Sequence, residues 1–129
     1  MSLRSPLGRV LGLGSAKDGT GHWWVQRVTA VALIPLTLWL FFSLLLLPDL
    51  EFATVKSWLA MPMCSFLGLL TVAVAAYHSY LGTTVVVEDY VPSVGMRVFT
   101  LLLLRFLYVL FAGAGLFAIL RVAFGSAGS

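Results

Sequence analysis

The chain has 129 residues, of which 60% are hydrophobic and only 10% are charged, and its mean hydropathy is +1.02. An average soluble domain is about 45–50% apolar and about 25% charged, so this composition excludes a disordered chain, a disulfide scaffold and a soluble α/β enzyme. The eight Lys and Arg residues behind the net charge of +3 form no basic stripe, which argues against nucleic-acid binding. The single cysteine, Cys64, cannot supply the thiolates of an iron–sulfur cluster.

The chain begins with a segment that does not fit a secretory signal. Residues 1–22 contain Arg4, Arg9 and Lys17 but no apolar core of roughly 7–15 residues. We expect this segment to be a mobile N-terminal tail, followed by one membrane anchor domain over 23–122 and a short C-terminal tail over 123–129.

Three apolar segments predict three transmembrane helices, near 24–47, 58–87 and 97–121. Because a helix rises about 1.5 Å per residue, about 20 residues cross the ~30 Å hydrocarbon core. The second segment is longer than a span requires, and we expect an interfacial turn near Met61 and Pro62 at its start. The sequence therefore predicts an all-α, integral membrane, three-helix anchor.

The basic residues predict the orientation of these helices, because Lys and Arg favour the cytoplasmic side of a membrane. Four of them lie between the N-terminus and Arg27, whereas the 48–57 loop contains only Lys56 beside two acidic residues. We expect the N-terminus and the 88–97 loop in the cytoplasm. Three helices enclose little interior, so a larger assembly is expected.

His78 lies within the second predicted span, where an ionisable side chain needs a specific reason. It precedes Asp89 by eleven residues, or about 16 Å of helix, which predicts a position near the middle of the bilayer. Ala75 and Gly82 lie on the same helix face and leave room for a flat haem bound by the imidazole. The same pattern is typical of a histidine that hydrogen-bonds a neighbouring helix.

Two further groups lie at predicted helix ends. Arg27 either extends to lipid headgroups or donates paired hydrogen bonds to carboxylates such as haem propionates. Tyr90 follows Glu88 and Asp89 at the end of the second span. Its phenol is either an interfacial anchor or a donor to a carbonyl such as that of a quinone.

Arg105 is a charged residue within the third predicted span. It follows Arg97 by eight residues, which is about 12 Å along a helix. A central arginine costs about 2.5–3.5 kcal/mol on insertion-based scales. We therefore expect Arg105 to face a partner helix, a lipid headgroup or a ligand.

The segment from His78 to Gly82, followed by Asp89-Tyr90-Val91, resembles the hydrophobic membrane anchor of succinate dehydrogenase, the smaller of the two anchors of respiratory complex II. The stretch from His22 to Ala30 is similar to the Arg-Thr-Ala helix start of that family. The resemblance covers roughly residues 20–121 and includes all three spans.

This resemblance implies roles for four residues. His78 matches an axial ligand of a haem b whose other ligand comes from the larger anchor, and Arg27 matches an arginine near the haem propionates. Tyr90 matches a tyrosine that hydrogen-bonds ubiquinone, and Asp89 lies beside that quinone site. The implied partners are a second hydrophobic, cytochrome b-type anchor subunit, an iron–sulfur subunit and a flavoprotein subunit.

The expected function is therefore that of a membrane anchor of succinate:ubiquinone oxidoreductase in a bacterial cytoplasmic membrane, between the tricarboxylic acid cycle and electron transport. The chain is not expected to catalyse the reaction alone, because the soluble partners would oxidise succinate. Two alternatives remain open. One is the anchor of a quinol:fumarate reductase, and the other is a non-redox assembly or transporter subunit in which His78 only joins helices.

Overall fold

A computed structural model describes residues 15–125 of the chain, with side chains from Thr20 onward. Four α-helices and no strand occur in this range, which confirms the expected all-α fold. In chain order they are α1 (Ser15–Leu45), α2 (Phe52–Leu59), α3 (Pro62–Tyr90) and α4 (Val94–Gly125).

Three of these helices are long and apolar enough to cross a membrane, over 20–45, 62–90 and 94–125. The three expected spans are thus confirmed in number. Of the expected N-terminal tail, residues 1–14 lie outside the described part of the chain, whereas the rest belongs to α1. Residues 126–129 of the expected C-terminal tail also lie outside it.

The second span begins at Pro62, and the short helix α2 precedes it where the sequence predicted a loop and the first turns of that span. Met61 has an extended backbone (φ −63°, ψ 132°), which is the conformation that proline imposes on the residue before it. Pro62 then occupies the first turn of α3, where its missing N–H interrupts no hydrogen bond. Trp58 of α2 is buried and stacks on Trp39 of α1, with 5.7 Å between ring centroids.

Helix α3 is the centre of the bundle, because α1 and α4 both pack against it and the described residues form no contact between α1 and α4. Helices α3 and α4 pack closely at Gly115, where an added Cβ would lie 3.1 Å from a methyl group of Val72. Among the described residues only five hydrophobic side chains are buried. The remaining apolar surface of the bundle is suited to lipid or to other hydrophobic subunits.

Candidate functional site

A pocket with a cavity volume of about 390 Å³ lies between α1 and α3. It brings together two residues that the sequence singled out, His78 and Arg27, although they lie on different helices. The pocket is partly open, and aromatic, charged and small side chains share its wall. The lining residues are His22, Trp23, Gln26, Arg27, Ala30, His78 and Val85.

The imidazole of His78 is held by a hydrogen bond from the facing helix. Its Nδ1 lies 3.0 Å from Oγ1 of Thr29. That hydroxyl already donates its only hydrogen to the backbone of α1, at 2.8 Å from the carbonyl oxygen of Val25 and 3.0 Å from that of Gln26. With that hydrogen on the backbone, the hydroxyl accepts from Nδ1–H of the histidine, and in this tautomer the Nε2 lone pair of the neutral ring is available for a ligand.

The positions of Thr29 and His78 along their helices show how far along the bundle the pocket lies. Thr29 is next to the midpoint of α1, and His78 lies two residues past the midpoint of α3. The histidine is thus close to half-way along the bundle, in agreement with the depth counted from Asp89 in the sequence.

Arg27 lies at the rim of the pocket, with its guanidinium carbon 5.2 Å from the ring centroid of Trp23. This cation–π contact fixes part of the side chain and leaves the N–H groups free to donate. No carboxylate within the described residues pairs with Arg27, so the rim presents an unneutralised positive charge.

Gln26 is a site residue that the sequence analysis did not identify. Its Oε1 is buried and has no hydrogen-bond partner among the described residues. Its Nε2 lies 3.4 Å from the position that a Cβ would take at Gly82, so the glycine makes room for this amide. Thr29 was also missed as a partner of the histidine. The signal available for both was a polar side chain within an otherwise apolar span.

Tyr90 lies outside this pocket. It is the last residue of α3, is 81% exposed, and is separated from His78 by twelve residues, or about 18 Å of helix. Glu88 and Asp89 are exposed beside it. The structure thus brings Arg27 to His78 and leaves the acidic pair and Tyr90 together at the end of α3.

The turn that follows Tyr90 is fixed by Arg97 of α4. Its Nε donates to the carbonyl oxygen of Val91 at 3.0 Å, and its Nη2 donates to that of Pro92 at 3.4 Å. These bonds satisfy carbonyl groups at the end of α3 that have no partner in the helix. The guanidinium thereby positions the chain next to Tyr90.

The donor set around His78 fits an iron porphyrin. No group of three or more His, Cys, Asp or Glu side chains occurs within residues 20–125. The His78 imidazole, with Trp23, Ala30 and Val85 in the same pocket, fits a haem, because the haem ring itself supplies four ligands to the iron and needs few from the protein. The unpaired guanidinium at the rim matches the carboxylates of the same group.

The fold and the pocket together define a class of protein, a small integral membrane subunit of three spanning helices with a histidine-containing pocket between the first two. The family model for the succinate dehydrogenase/fumarate reductase transmembrane subunit matches residues 1–112. The chain belongs to this family.

Similar proteins support a narrower statement. The chain is 36% identical to the succinate dehydrogenase hydrophobic membrane anchor subunit of Rickettsia conorii over 65% of its own length and 68% of that protein. It is 33% identical to the same subunit of Rickettsia bellii, over 73% and 75% of the two chains. It is also 33% identical to that of Paracoccus denitrificans, over 61% of each. The chain is therefore a membrane anchor subunit of the succinate dehydrogenase type, and it functions in a complex with other subunits.

Proposed function

We propose that this chain anchors a succinate:ubiquinone oxidoreductase in a bacterial cytoplasmic membrane, holds one side of a haem b and contributes to the ubiquinone site. The observation that carries the haem assignment is the hydrogen bond between Thr29 and His78. It selects the tautomer in which Nε2 can bind iron, and second-shell bonds of this kind are typical of metal-bound histidines.

His78 would bind the haem iron in this proposal, and the pocket around it would provide one wall. Because the pocket is partly open, a second hydrophobic, cytochrome b-type subunit would cover it and supply a further ligand. When bound, the haem supplies a one-electron redox centre between the two subunits. Arg27 donates hydrogen bonds to the propionates, and its charge favours the position of these carboxylates at the rim.

Tyr90 binds ubiquinone in this proposal. Its exposed phenol lies at the end of a spanning helix, where a hydroxyl can donate to a quinone carbonyl while the ring remains in apolar surroundings. Asp89 lies beside it and supplies a carboxylate close to the same carbonyl. The charge pattern that predicts a cytoplasmic N-terminus puts this helix end on the cytoplasmic side, where electrons from succinate arrive through a flavoprotein subunit and an iron–sulfur subunit.

A reduced-minus-oxidised visible spectrum of the complex tests the proposal. The chain is tagged, extracted in mild detergent with its native partners, and reduced first with succinate and then with dithionite. We expect a b-type α-band that succinate elicits. A succinate-oxidising complex without any haem band would remove the ligand role of His78, and the absence of a co-purifying dehydrogenase would remove the anchor role.

A quinol:fumarate reductase is the second candidate, because the matching family model covers transmembrane subunits of both enzymes. The same site would then oxidise quinol. The ratio of succinate-supported quinone reduction to quinol-supported fumarate reduction separates the two. A non-redox assembly or transporter subunit, the third alternative, predicts neither activity and no haem.

A further inference from the structure

A second groove, with a cavity volume of about 490 Å³, lies between α3 and α4. Its wall is apolar and small along most of its length, and its polar groups are concentrated at Arg105 and the neighbouring tyrosines. The groove extends from Arg105 to Leu116 on α4, which is about 16 Å along the helix axis. The residues that form its apolar part include Ala73, Ala76, Ala112 and Leu116.

The polar end of the groove presents hydrogen-bond donors. Nε of Arg105 donates to the phenol oxygen of Tyr80 at 3.3 Å. The Tyr80 hydroxyl hydrogen and both Nη groups of the guanidinium have no acceptor among the described residues. The neighbouring Tyr108 differs, because its hydroxyl donates to Oγ1 of Thr83 at 2.9 Å, whose own hydrogen is used by the carbonyl oxygen of Ser79. A ligand that supplies several acceptor oxygens and a negative charge matches this end.

The position of Arg105 favours such a ligand. The residue lies within a spanning helix, eleven residues after its start at Val94, or about 16 Å along the axis. No carboxylate among the described residues pairs with it, and a charged side chain at this depth is costly unless an anion or water accompanies it. Glu88 and Asp89, the closest acidic residues in sequence, lie in the last turn of α3 instead.

The groove is directed away from the pocket that contains His78. Tyr80 follows His78 by two residues, so the two side chains project about 200° apart around α3. A second anchor subunit that covers the histidine therefore leaves the groove between α3 and α4 towards lipid. An occupant of this groove must be amphipathic, with its anionic end at Arg105 and its apolar part along the alanines.

We propose that the groove binds one anionic phospholipid. The phosphate accepts hydrogen bonds from Nη1 and Nη2 of Arg105 and from the hydroxyl of Tyr80. One acyl chain follows the alanine-lined wall towards Leu116. The lipid neutralises the guanidinium within the membrane and packs between α3 and α4. The polar contacts of this site do not depend on the haem and quinone assignments, whereas its exposure to lipid rests on the proposed placement of the second anchor subunit over His78.

The test uses the whole complex in mild non-ionic detergent, exposed to phosphatidylglycerol or phosphatidylcholine that carries a diazirine in one acyl chain. We expect phosphatidylglycerol to label peptides that contain Ala73 to Tyr80 and Arg105 to Leu116. In Arg105→Gln the preference for phosphatidylglycerol should fall about tenfold, as expected for the loss of a charge-assisted pair of hydrogen bonds. Arg121→Gln is the matched control, because Arg121 is an exposed arginine far along the same helix and outside the groove.

Three results would overturn the proposal. In the first, phosphatidylglycerol and phosphatidylcholine label the groove equally. In the second, Arg105→Gln leaves the labelling unchanged. In the third, inorganic phosphate competes as strongly as unlabelled phosphatidylglycerol. A photoreactive residue at Ala112 that captures another subunit instead of lipid would also overturn it. If Arg105→Gln does not assemble, competition between unlabelled lipids in the unaltered complex gives the same decision. The haem band and succinate oxidation are followed in parallel and are expected to stay unchanged in Arg121→Gln.

Discussion

The hydroxyl oxygen of Thr29 on α1 lies 3.0 Å from Nδ1 of His78 on α3, and the two atoms share a hydrogen bond. This bond connects the first two spans near the middle of the bundle. When the Thr29 hydroxyl donates to the backbone of its own helix, the bond favours the imidazole tautomer in which Nε2 is available to a metal.

Thr29→Val tests this relationship, because valine keeps the shape of the side chain and removes the acceptor. We expect haem affinity to fall about 10–100-fold, as is typical when a partner of a metal-bound histidine is lost. The haem reduction potential should rise, because a less basic imidazole stabilises ferric iron less. Haem titration of the apo-complex and a redox titration measure the two effects.

Two control variants accompany Thr29→Val. Thr29→Ser keeps the hydroxyl and should restore both affinity and potential. Thr37→Val removes a hydroxyl that bonds only to the backbone of α1, and it should change neither. Equal effects of Thr29→Val and Thr37→Val would contradict a specific role for the bond to His78.

Arg27→Gln removes the positive charge at the rim of the pocket. Without that charge the reduced haem is less favoured, so we expect the potential to fall by up to about 60 mV, a tenfold change in a one-electron equilibrium. Arg27→Lys should restore part of this shift, because it returns the charge but not the paired donors. Arg121→Gln, a change of equal charge remote from the pocket, should leave the potential unaltered. If Arg121→Gln lowered the haem potential by the same amount, the shift would result from the net charge and not from the position of Arg27.

Tyr90→Phe removes the phenol at the end of α3 and keeps its ring. If this hydroxyl donates to the quinone, ubiquinone reduction should slow about tenfold, equivalent to about 1.4 kcal/mol of lost transition-state binding. Succinate oxidation by an artificial dye should remain intact, because that reaction does not use the quinone site. Steady-state kinetics with both acceptors provide the measurement. Unchanged ubiquinone kinetics would exclude Tyr90 from the site.

Gly115→Leu tests the packing of α3 against α4. Even a Cβ at this position would lie 3.1 Å from Val72, so a larger side chain must push the helices apart. Overpacking of this kind typically costs about 1–3 kcal/mol, and we expect a lower unfolding temperature of the complex in calorimetry. Gly113→Leu is the control, because a Cβ there meets nothing within 4 Å. If Gly113→Leu lowered the unfolding temperature as much as Gly115→Leu, the close packing at Gly115 would not explain the effect.

The architecture could be predicted from the sequence to a large extent. Two uncharged runs of more than twenty residues, and a third apolar run interrupted only by Arg105, are each long enough to cross a bilayer as a helix, so the number of spans followed directly. The turn expected near Met61 and Pro62 is where the second span begins, because proline holds Met61 in an extended conformation. The separate helix α2 did not follow from the sequence, because Lys56 assigned most of Phe52–Leu59 to a loop.

The pocket was predictable only in part. His78 was visible as a polar residue at membrane depth, and Arg27 as a charged residue at the end of the first predicted span. Their association with Gln26 and Thr29 depends on how α1 and α3 are aligned, which no single helix encodes. That alignment is visible in the contacts of Thr29 with His78 and of Gln26 with Gly82. It places side chains about fifty residues apart in sequence within hydrogen-bonding distance.

The central claim is that His78 binds haem through Nε2, and the two histidines of the chain provide a direct test. His78 and His22 both line the pocket, but only His78 is held in the ligand tautomer by Thr29. Reduced-minus-oxidised spectra of the purified His78→Ala and His22→Ala complexes should show the b-type band lost or shifted in the first and retained in the second. An unchanged b-type band in His78→Ala would contradict the claim. Loss of the band in His22→Ala at the same time would identify His22 as the ligand instead.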